Sequence, residues 1–345
     1  MDRLRNSPGF PLGRWVDNHP SVRYNLALSG MRGALKTVPR ILRRLPEASP
    51  EDLRRAIARL HRVDPAEVFL THGAHEANFL ALTFLTRNRQ PSRHEATIRV
   101  DLPEYPPLLE IARLLGRRVV HGPSRADIWV LSNPTNPTGR LRSAREIVAD
   151  RTASTSVIVD EAFREFTEAR SVAEVGADRL WATGTFTKVY GGDEIRVGWL
   201  IPPRHATEPY ARFHGVTADR IPALSVRAAS AILSAHPAIL REVQGLFSRN
   251  LRALQRAVSG TGTPAGPFWF DRGEGGLPGD RVQAAAIRRS VLVCSGTFFG
   301  DPHGVRICLT RPSFPEDLDQ YLAVRERFLD GSAAADGGPS SPVPS

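Results

Sequence analysis

The sequence predicts an α/β fold with a mostly parallel sheet, and three observations carry the prediction. Apolar runs typical of buried strands alternate with helical periodicity over residues 46–205. Three such runs lead directly into polar side chains, namely Asn136, Asp160 and Lys188. The length of 345 residues suits two domains. Because α/β proteins bind ligands at the carboxyl edge of the sheet, we expect these three side chains to converge there.

The composition is that of an ordinary globular protein, with 41% hydrophobic and 24% charged residues. No apolar run approaches the roughly 18 residues that a membrane span needs, and the N-terminus lacks a signal-peptide core. The only cysteines, Cys294 and Cys308, each fall in a predicted strand. Buried thiols suit a reducing compartment, so the expected location is cytoplasmic, with no membrane partner and no metal.

The formal net charge of +10 raises the question of nucleic acid binding. The arginines are dispersed along the chain, with short clusters only at residues 40–44 and 54–62. No helix-turn-helix, zinc spacing or aromatic-basic repeat accompanies them. We therefore expect no nucleic-acid partner and a modest bias toward anionic ligands.

Lysine usage singles out one residue. Of 46 basic residues only Lys36 and Lys188 are lysines, so Lys188 is a candidate for amine chemistry, which an arginine cannot perform. Hydroxyls at Thr185 and Thr187, together with Arg196, could hold a phosphate beside it. The alternative is a solvated surface lysine.

The run TFTKVYGGDEIRVG, residues 185–198, resembles the cofactor-lysine motif of pyridoxal-phosphate enzymes with the aspartate-aminotransferase fold. Among these the chain is most similar to histidinol-phosphate aminotransferase and threonine-phosphate decarboxylase, over roughly residues 22–329. The resemblance implies pyridoxal 5'-phosphate on a Schiff base with Lys188, and a phosphate contact from Arg196. It also implies a small-molecule amino acid substrate and a homodimer.

The same resemblance implies a domain plan. Residues 1–45 would form an N-terminal arm, irregular over 1–21, with part of the small domain. Residues 46–205 would form the large domain with its mostly parallel sheet. Interdomain helices and a smaller α+β domain would fill residues 206–330, and Gly, Ser, Pro and Ala dominate a predicted disordered tail at 331–345.

Further site residues follow by matching the family's motifs. Tyr105 would stack on the cofactor ring, Asn136 would bond its phenolic oxygen and the substrate, and Asp160 would bond its pyridine nitrogen. Arg306 would bind the substrate carboxylate. A strand-end tyrosine, a loop-capping aspartate and an ordinary salt-bridge arginine are the non-functional alternatives. The remaining implied residues are a phosphate loop of Gly73, Ala74 and His75, and a substrate-lining segment from Asn25 to Gly30.

Local signals place two helices. Ser49 is a predicted N-cap before Pro50, with Leu53, Ile57 and Leu60 on the buried face. A second helix follows the turn at Gly73, with Phe79, Leu82 and Leu85 predicted to be buried.

Two departures from the family bear on mechanism. Phe163, in DEAF, stands where aminotransferases usually carry a tyrosine that bonds the cofactor's phenolic oxygen; threonine-phosphate decarboxylases resemble this chain there. Leu45 stands where a tyrosine would reach the partner subunit's cofactor.

The leading hypothesis is transamination of an amino acid or amino-alcohol phosphate, with Lys188, Asp160 and Tyr105 as the catalytic side chains. Decarboxylation of a phosphorylated amino acid is the alternative, followed by cyclisation or oxidation. A non-catalytic, DNA-binding regulator of the same fold has only the positive charge in its favour.

Overall fold

A computed structural model describes residues 9–19, 21–87, 96–258 and 264–330, so the predicted disordered tail lies outside the described residues. The helices are α1 Pro11–Asn18, α2 Thr37–Ile41, α3 Pro50–His61, α4 Ala74–Thr86, α5 Pro106–Leu114, α6 Ala144–Ala149, α7 Thr207–Thr217, α8 Ala223–Ser234, α9 His236–Ala257, α10 Gly279–Arg288 and α11 Phe314–Leu329. The strands are β1 Tyr24–Asn25, β2 Phe69–Thr71, β3 Thr97–Arg99, β4 Arg118–Val120, β5 Ile128–Ser132, β6 Ser156–Asp160, β7 Leu180–Thr185, β8 Gly198–Ile201, β9 Phe268–Asp271, β10 Val291–Leu292, β11 Cys294–Ser295 and β12 Val305–Cys308.

The central sheet confirms the α/β prediction. Its seven strands lie in the order β2-β8-β7-β6-β5-β3-β4. All pairs from β7 to β4 are parallel, whereas β8 runs antiparallel to both neighbours. Every residue of β5 and β6 is buried, as expected for parallel strands covered on both faces.

A smaller antiparallel sheet follows α9 in sequence, with strand order β11-β12-β9. The predicted strand over residues 290–294 is split into β10, which pairs with β1, and β11, which pairs with β12. This arrangement joins the N-terminal segment to the second sheet. Both cysteines are free and buried, as predicted.

The expectation of an irregular N-terminal arm is wrong for residues 11–18, which form α1. Pro11 occupies the first turn, where its missing N–H costs nothing, and Leu12 and Trp15 share one face. Leu12 is buried, and the Trp15 ring lies 5.5 Å from that of Phe298. The helix is thereby held against the second sheet's loops.

The predicted helix α3 begins as expected, because the Ser49 hydroxyl accepts the Asp52 N–H at 3.1 Å in a capping box. Leu53 and Ile57 are fully buried and Leu60 only partly. In α4, Phe79 was expected to be buried, and this is wrong because the residue is 37% exposed. The helix instead packs on β6, β7 and β8 through a face of small side chains that permits close approach.

Helices were expected to follow residue 205, and α7, α8 and α9 confirm this. Within the described part of the chain, no single helix is long and apolar enough to cross a membrane. Helices α8 and α9 meet that test only as a pair, which is bent by 71°.

Candidate active site

The carboxyl ends of β5, β6 and β7 lie side by side and open onto one cavity of about 620 Å³. The predicted site residues, with the exception of Asn25, all line it. They are Gly30, Gly73, Ala74, His75, Tyr105, Asn136, Asp160, Phe163, Thr185, Thr187, Lys188, Arg196 and Arg306. The fold therefore brings together residues from seven separate segments of the sequence.

One end of the cavity is built for an anion. Gly73, with φ of +100°, directly precedes α4, whose first backbone N–H groups have no partner within the helix. A Cβ added to Gly73 would lie 3.4 Å from Arg196 Nη2 and 3.8 Å from Thr185 Oγ1. The Thr185 and Thr187 hydroxyls are 3.2 Å apart. Helix amides, hydroxyls and a guanidinium thus surround one small space, the arrangement that binds phosphate.

Gly198 allows this close approach. A Cβ at Gly198 would lie 2.6 Å from backbone atoms of both Gly73 and Gly184, which cannot yield as a flexible side chain can. Gly198 on β8 and Gly73 at the start of α4 are therefore both required for this close approach.

Asp160, at the end of β6, is buried and fixed from two sides. Its Oδ1 accepts the Ala162 N–H at 2.9 Å, and its Oδ2 accepts Asn78 Nδ2 at 2.8 Å. Burial raises the pKa of Asp160, while these two bonds and the charge of Lys188 oppose the rise. The result is a shielded carboxyl whose orientation is set before any ligand binds.

Sequence reasoning missed the residues that fix Asp160. Thr183 donates its hydroxyl to Asn78 Oδ1 at 2.8 Å, which leaves the amide nitrogen of Asn78 facing Asp160. The available signal was a lone asparagine on the buried face of an apolar helix, where an unpaired amide would be costly.

Lys188 projects into the cavity half-buried. Loss of water around it lowers its pKa, and the charges of Arg306 and Arg196 act in the same direction against the opposing effect of Asp193. Lys36, the other lysine, is exposed. A lowered pKa increases the share of the neutral amine, the form that attacks a carbonyl or accepts a proton.

An aromatic wall closes one side. The Tyr105 ring lies edge-on to Phe10 at 5.9 Å, and its hydroxyl is 3.4 Å from His75 Nε2. Burial raises the pKa of Tyr105. Phe163 is buried with its ring 4.6 Å from that of Phe268, so an apolar edge stands where a tyrosine hydroxyl would be expected.

Arg306 lies on β12 and is 3% exposed. Its Nη1 donates to Asn136 Oδ1 at 3.0 Å, and its Nη2 donates to the Ala27 carbonyl at 2.6 Å. Its Nε is buried and has no partner within the described residues. Since Asn136 Oδ1 accepts from Arg306, the amide hydrogens of Asn136 remain free to donate to a ligand.

The expected contact of Asn25 with substrate is wrong in this geometry. The Asn25 Oδ1 accepts the N–H groups of Ala27 and Leu28 at 3.1 and 3.2 Å, an Asx-type turn that occupies the side chain. Asn25 thereby shapes the loop that carries the Ala27 carbonyl to Arg306 and Gly30 to the cavity.

The cavity also includes charged residues that the sequence did not single out, on α1 and in loops distant in sequence. Six cationic and three acidic side chains line it. They are Arg14, Arg32, Lys188, Arg196, Arg306 and Arg311, against Asp17, Asp160 and Asp193. The positive excess favours an anionic ligand.

The profile of the family "Aminotransferase class I and II" matches residues 39–322. An aspartate aminotransferase of Thermococcus kodakarensis is 29% identical over 237 residues, 63% of each chain. A histidinol-phosphate aminotransferase of Haloarcula marismortui is 30% identical over 214 residues, 59% of this chain and 56% of that protein. The chain therefore matches somewhat more than half the length of these two relatives.

The fold agrees with a solved structure of a PLP-dependent aminotransferase from Streptococcus suis, with a TM-score of 0.78 and 21% identity. That match covers 94% of this chain and 98% of the other. With the family profile spanning most of the sequence, the chain belongs to the class I and II aminotransferases.

Proposed function

We propose that this protein is a pyridoxal-phosphate-dependent aminotransferase that acts on an amino acid or amino-alcohol phosphate through a Schiff base on Lys188. The observation that carries the proposal is the meeting of Lys188, Asp160 and Arg196 around one cavity. The family implies pyridoxal phosphate as the cofactor.

The residues present fit that cofactor at both of its ends. The cradle at Gly73, which a single Cβ would begin to fill, suits a phosphate between α4 and Arg196. At the other end, the buried Asp160 suits a protonated pyridine nitrogen, because a carboxylate at that depth needs a cationic partner. When bound, the cofactor supplies an electron sink for the substrate's Cα.

The chain's own side chains would then divide the work. Thr185, Thr187 and Arg196 would hold the phosphate, together with the amides at Gly73 and Ala74. Asn136 would donate to the phenolic oxygen and Tyr105 would cover the ring. Asp160, oriented by Asn78, would keep the pyridine nitrogen protonated.

Lys188 would move the proton at the substrate's Cα. Burial lowers the pKa of Lys188 and so increases the share of the neutral amine, which is the form that a general base needs. The substrate's anionic group would lie against Arg306, whose Nε has no hydrogen-bond partner among the described residues. Helix α1 lies over the cavity and would limit the entry of water.

Decarboxylation of a phosphorylated amino acid is the second candidate, and Phe163 is the observation that favours it. Its ring packs on Phe268 and provides no hydroxyl to the cavity, as in the decarboxylases that the DEAF motif resembles.

The experiment that tests the proposal incubates the purified protein with pyridoxal phosphate and a panel of amino acids and amino-alcohol phosphates, and measures keto product and carbon dioxide. Keto product supports transamination, whereas carbon dioxide supports the alternative. Borohydride should fix the cofactor on Lys188, and Lys188→Arg should fold but abolish the visible band. A label on the exposed Lys36 would contradict the assignment.

We also propose a homodimer, as the resemblance implies. Leu45, at the position of the family's tyrosine, packs against the core, and its carbonyl accepts Arg227 Nη2 at 3.1 Å; its side chain has no hydroxyl to offer the partner's site. Sedimentation should detect a dimer at working concentrations. Full activity of a monomer at nanomolar concentration would contradict this.

A further inference from the structure

Glu104 is a buried carboxyl next to the cavity to which neither the motifs nor the proposed mechanism give a role. It precedes Tyr105 at the start of α5 and is only 3% exposed. A carboxyl removed from water is costly unless hydrogen bonds replace its hydration. Its partners therefore indicate what it holds in place.

Among the residues that the structure describes, the Glu104 side chain accepts hydrogen bonds from two residues of the cavity wall. Its Oε1 accepts the Tyr105 N–H at 2.7 Å and the Ser132 hydroxyl. Its Oε2 accepts the Ser132 N–H at 2.9 Å. One side chain thus ties the start of α5 to the end of β5.

The connection continues to Asn136. The Ser132 hydroxyl, which donates to Glu104, accepts the Asn136 N–H at 2.9 Å. Glu104 is therefore one residue removed from the amide that would face the cofactor's phenolic oxygen.

The charge of Asp160 also affects the pKa of Glu104. Burial raises the pKa of Glu104 to about 8, and the charge of Asp160 acts in the same direction, while the bonds from Ser132 and Tyr105 oppose it. Tyr105 and Asn136 are thus hydrogen-bonded to Glu104 directly or through Ser132, and the charge of Asp160 acts on the same carboxyl.

We propose that Glu104 is a positioning residue for the cofactor ring, which holds Tyr105 and Asn136 in register with Asp160. This inference rests on the proposed function. A buried glutamate with only a structural role would contribute to folding stability but would leave the orientation of a bound ring unchanged.

Glu161 provides a matched control. It too is a buried glutamate whose pKa burial raises, and it accepts two bonds at 2.7 Å, from Ser171 Oγ and Val172 N. Although it follows Asp160 in sequence, it does not line the cavity. Neither of these partners, Ser171 and Val172, lines the cavity.

The experiment titrates pyridoxal phosphate into Glu104→Ala, Glu104→Gln, Ser132→Ala and Glu161→Gln, and measures both the Kd and the circular dichroism of the visible cofactor band. We expect Glu104→Ala to raise the Kd about tenfold, the loss for one or two buried hydrogen bonds, and to weaken the dichroism. Glu104→Gln should recover part of both, since its carbonyl can still accept from Tyr105 and Ser132. Glu161→Gln should match the wild type in both.

Ser132→Ala keeps the carboxyl but removes the link to Asn136, so it decides the question should Glu104→Ala fail to fold. Wild-type Kd and dichroism in Ser132→Ala, or an equal loss in Glu161→Gln, would overturn the inference. A wild-type protein that shows no cofactor band at all would instead overturn the proposed function along with it.

Discussion

Replacing Arg306 with lysine should separate the charge of this residue from its geometry. The guanidinium bridges Asn136 Oδ1 at 3.0 Å and the Ala27 carbonyl at 2.6 Å while its Nε stays free for a ligand. A lysine ammonium carries its three donors on one nitrogen, so it cannot reproduce the planar fork that reaches Asn136, the Ala27 carbonyl and the substrate together.

The magnitude follows from the bonds lost. A hydrogen bond to a charged group contributes about 1.5–3 kcal/mol. Losing one bond within the protein should lower the free energy of unfolding by about 2 kcal/mol. Losing one bond to the substrate anion should lower kcat/KM roughly 10- to 150-fold.

Both values can be measured on the same preparation, by urea unfolding and by initial rates with α-amino acid donors. Arg311→Lys is the matched control, because Arg311 also lines the cavity but donates only to the Arg32 carbonyl, at 2.9 Å, among the bonds described for it. We expect a smaller loss in both measurements for this variant. An Arg306→Lys enzyme with wild-type kcat/KM, beside an impaired Arg311→Lys enzyme, would refute the assignment of Arg306 to the substrate anion.

Two further predictions concern protonation. Phe163→Tyr adds a donor at the cavity wall and should lower the pH midpoint of the cofactor's visible titration by about one unit, if the new bond contributes about 1.5 kcal/mol; an unchanged midpoint would show that Phe163 does not occupy the tyrosine's place. The pKa of Glu104 rises from 4.5 to about 8 on folding. Between these two pH values the folded protein therefore holds a proton that the unfolded chain has lost. Stability of the cofactor-free protein should therefore fall as pH rises from about 4.5 to 8, and Glu104→Gln should flatten that slope in urea titrations at several pH values; an unaltered slope would contradict the burial argument.

The sequence was sufficient for the parts of the site that lie within short motifs. Apolar runs in the sequence identify the strands that precede Lys188, Asp160 and Asn136. Parallel pairing then brings the ends of these strands together. Their convergence needed no knowledge of long-range contacts beyond the strand order of an α/β sheet.

The errors have a common physical origin. Tertiary packing decides which face of a helix or loop is buried, and the local sequence does not show this. Phe79 has the apolar character of a core residue, yet it is 37% exposed, because another face of α4, which includes Ala77 and Ala81, is the one that is buried. Asn25 fits a pocket-lining motif, but its carbonyl oxygen is taken by its own loop. Helix α1 is short and polar, and its stability depends on contacts with residues near 298 that periodicity cannot reveal.

Glu104 connects these local features into a continuous path. Arg306 donates to Asn136, the Asn136 N–H donates to Ser132, and Ser132 donates to Glu104, across segments separated by 170 and 28 residues in the chain. Each bond fixes the acceptor or donor that the next residue presents, so the Asn136 amide hydrogens face the cavity before any ligand arrives. Because Nη1 and Nη2 of Arg306 make its bonds to Asn136 and Ala27, we expect a substrate anion at Nε to leave this path intact. The entropy lost in orienting these groups is then paid during folding rather than on binding. More of the binding energy can therefore stabilise the reaction's transition state.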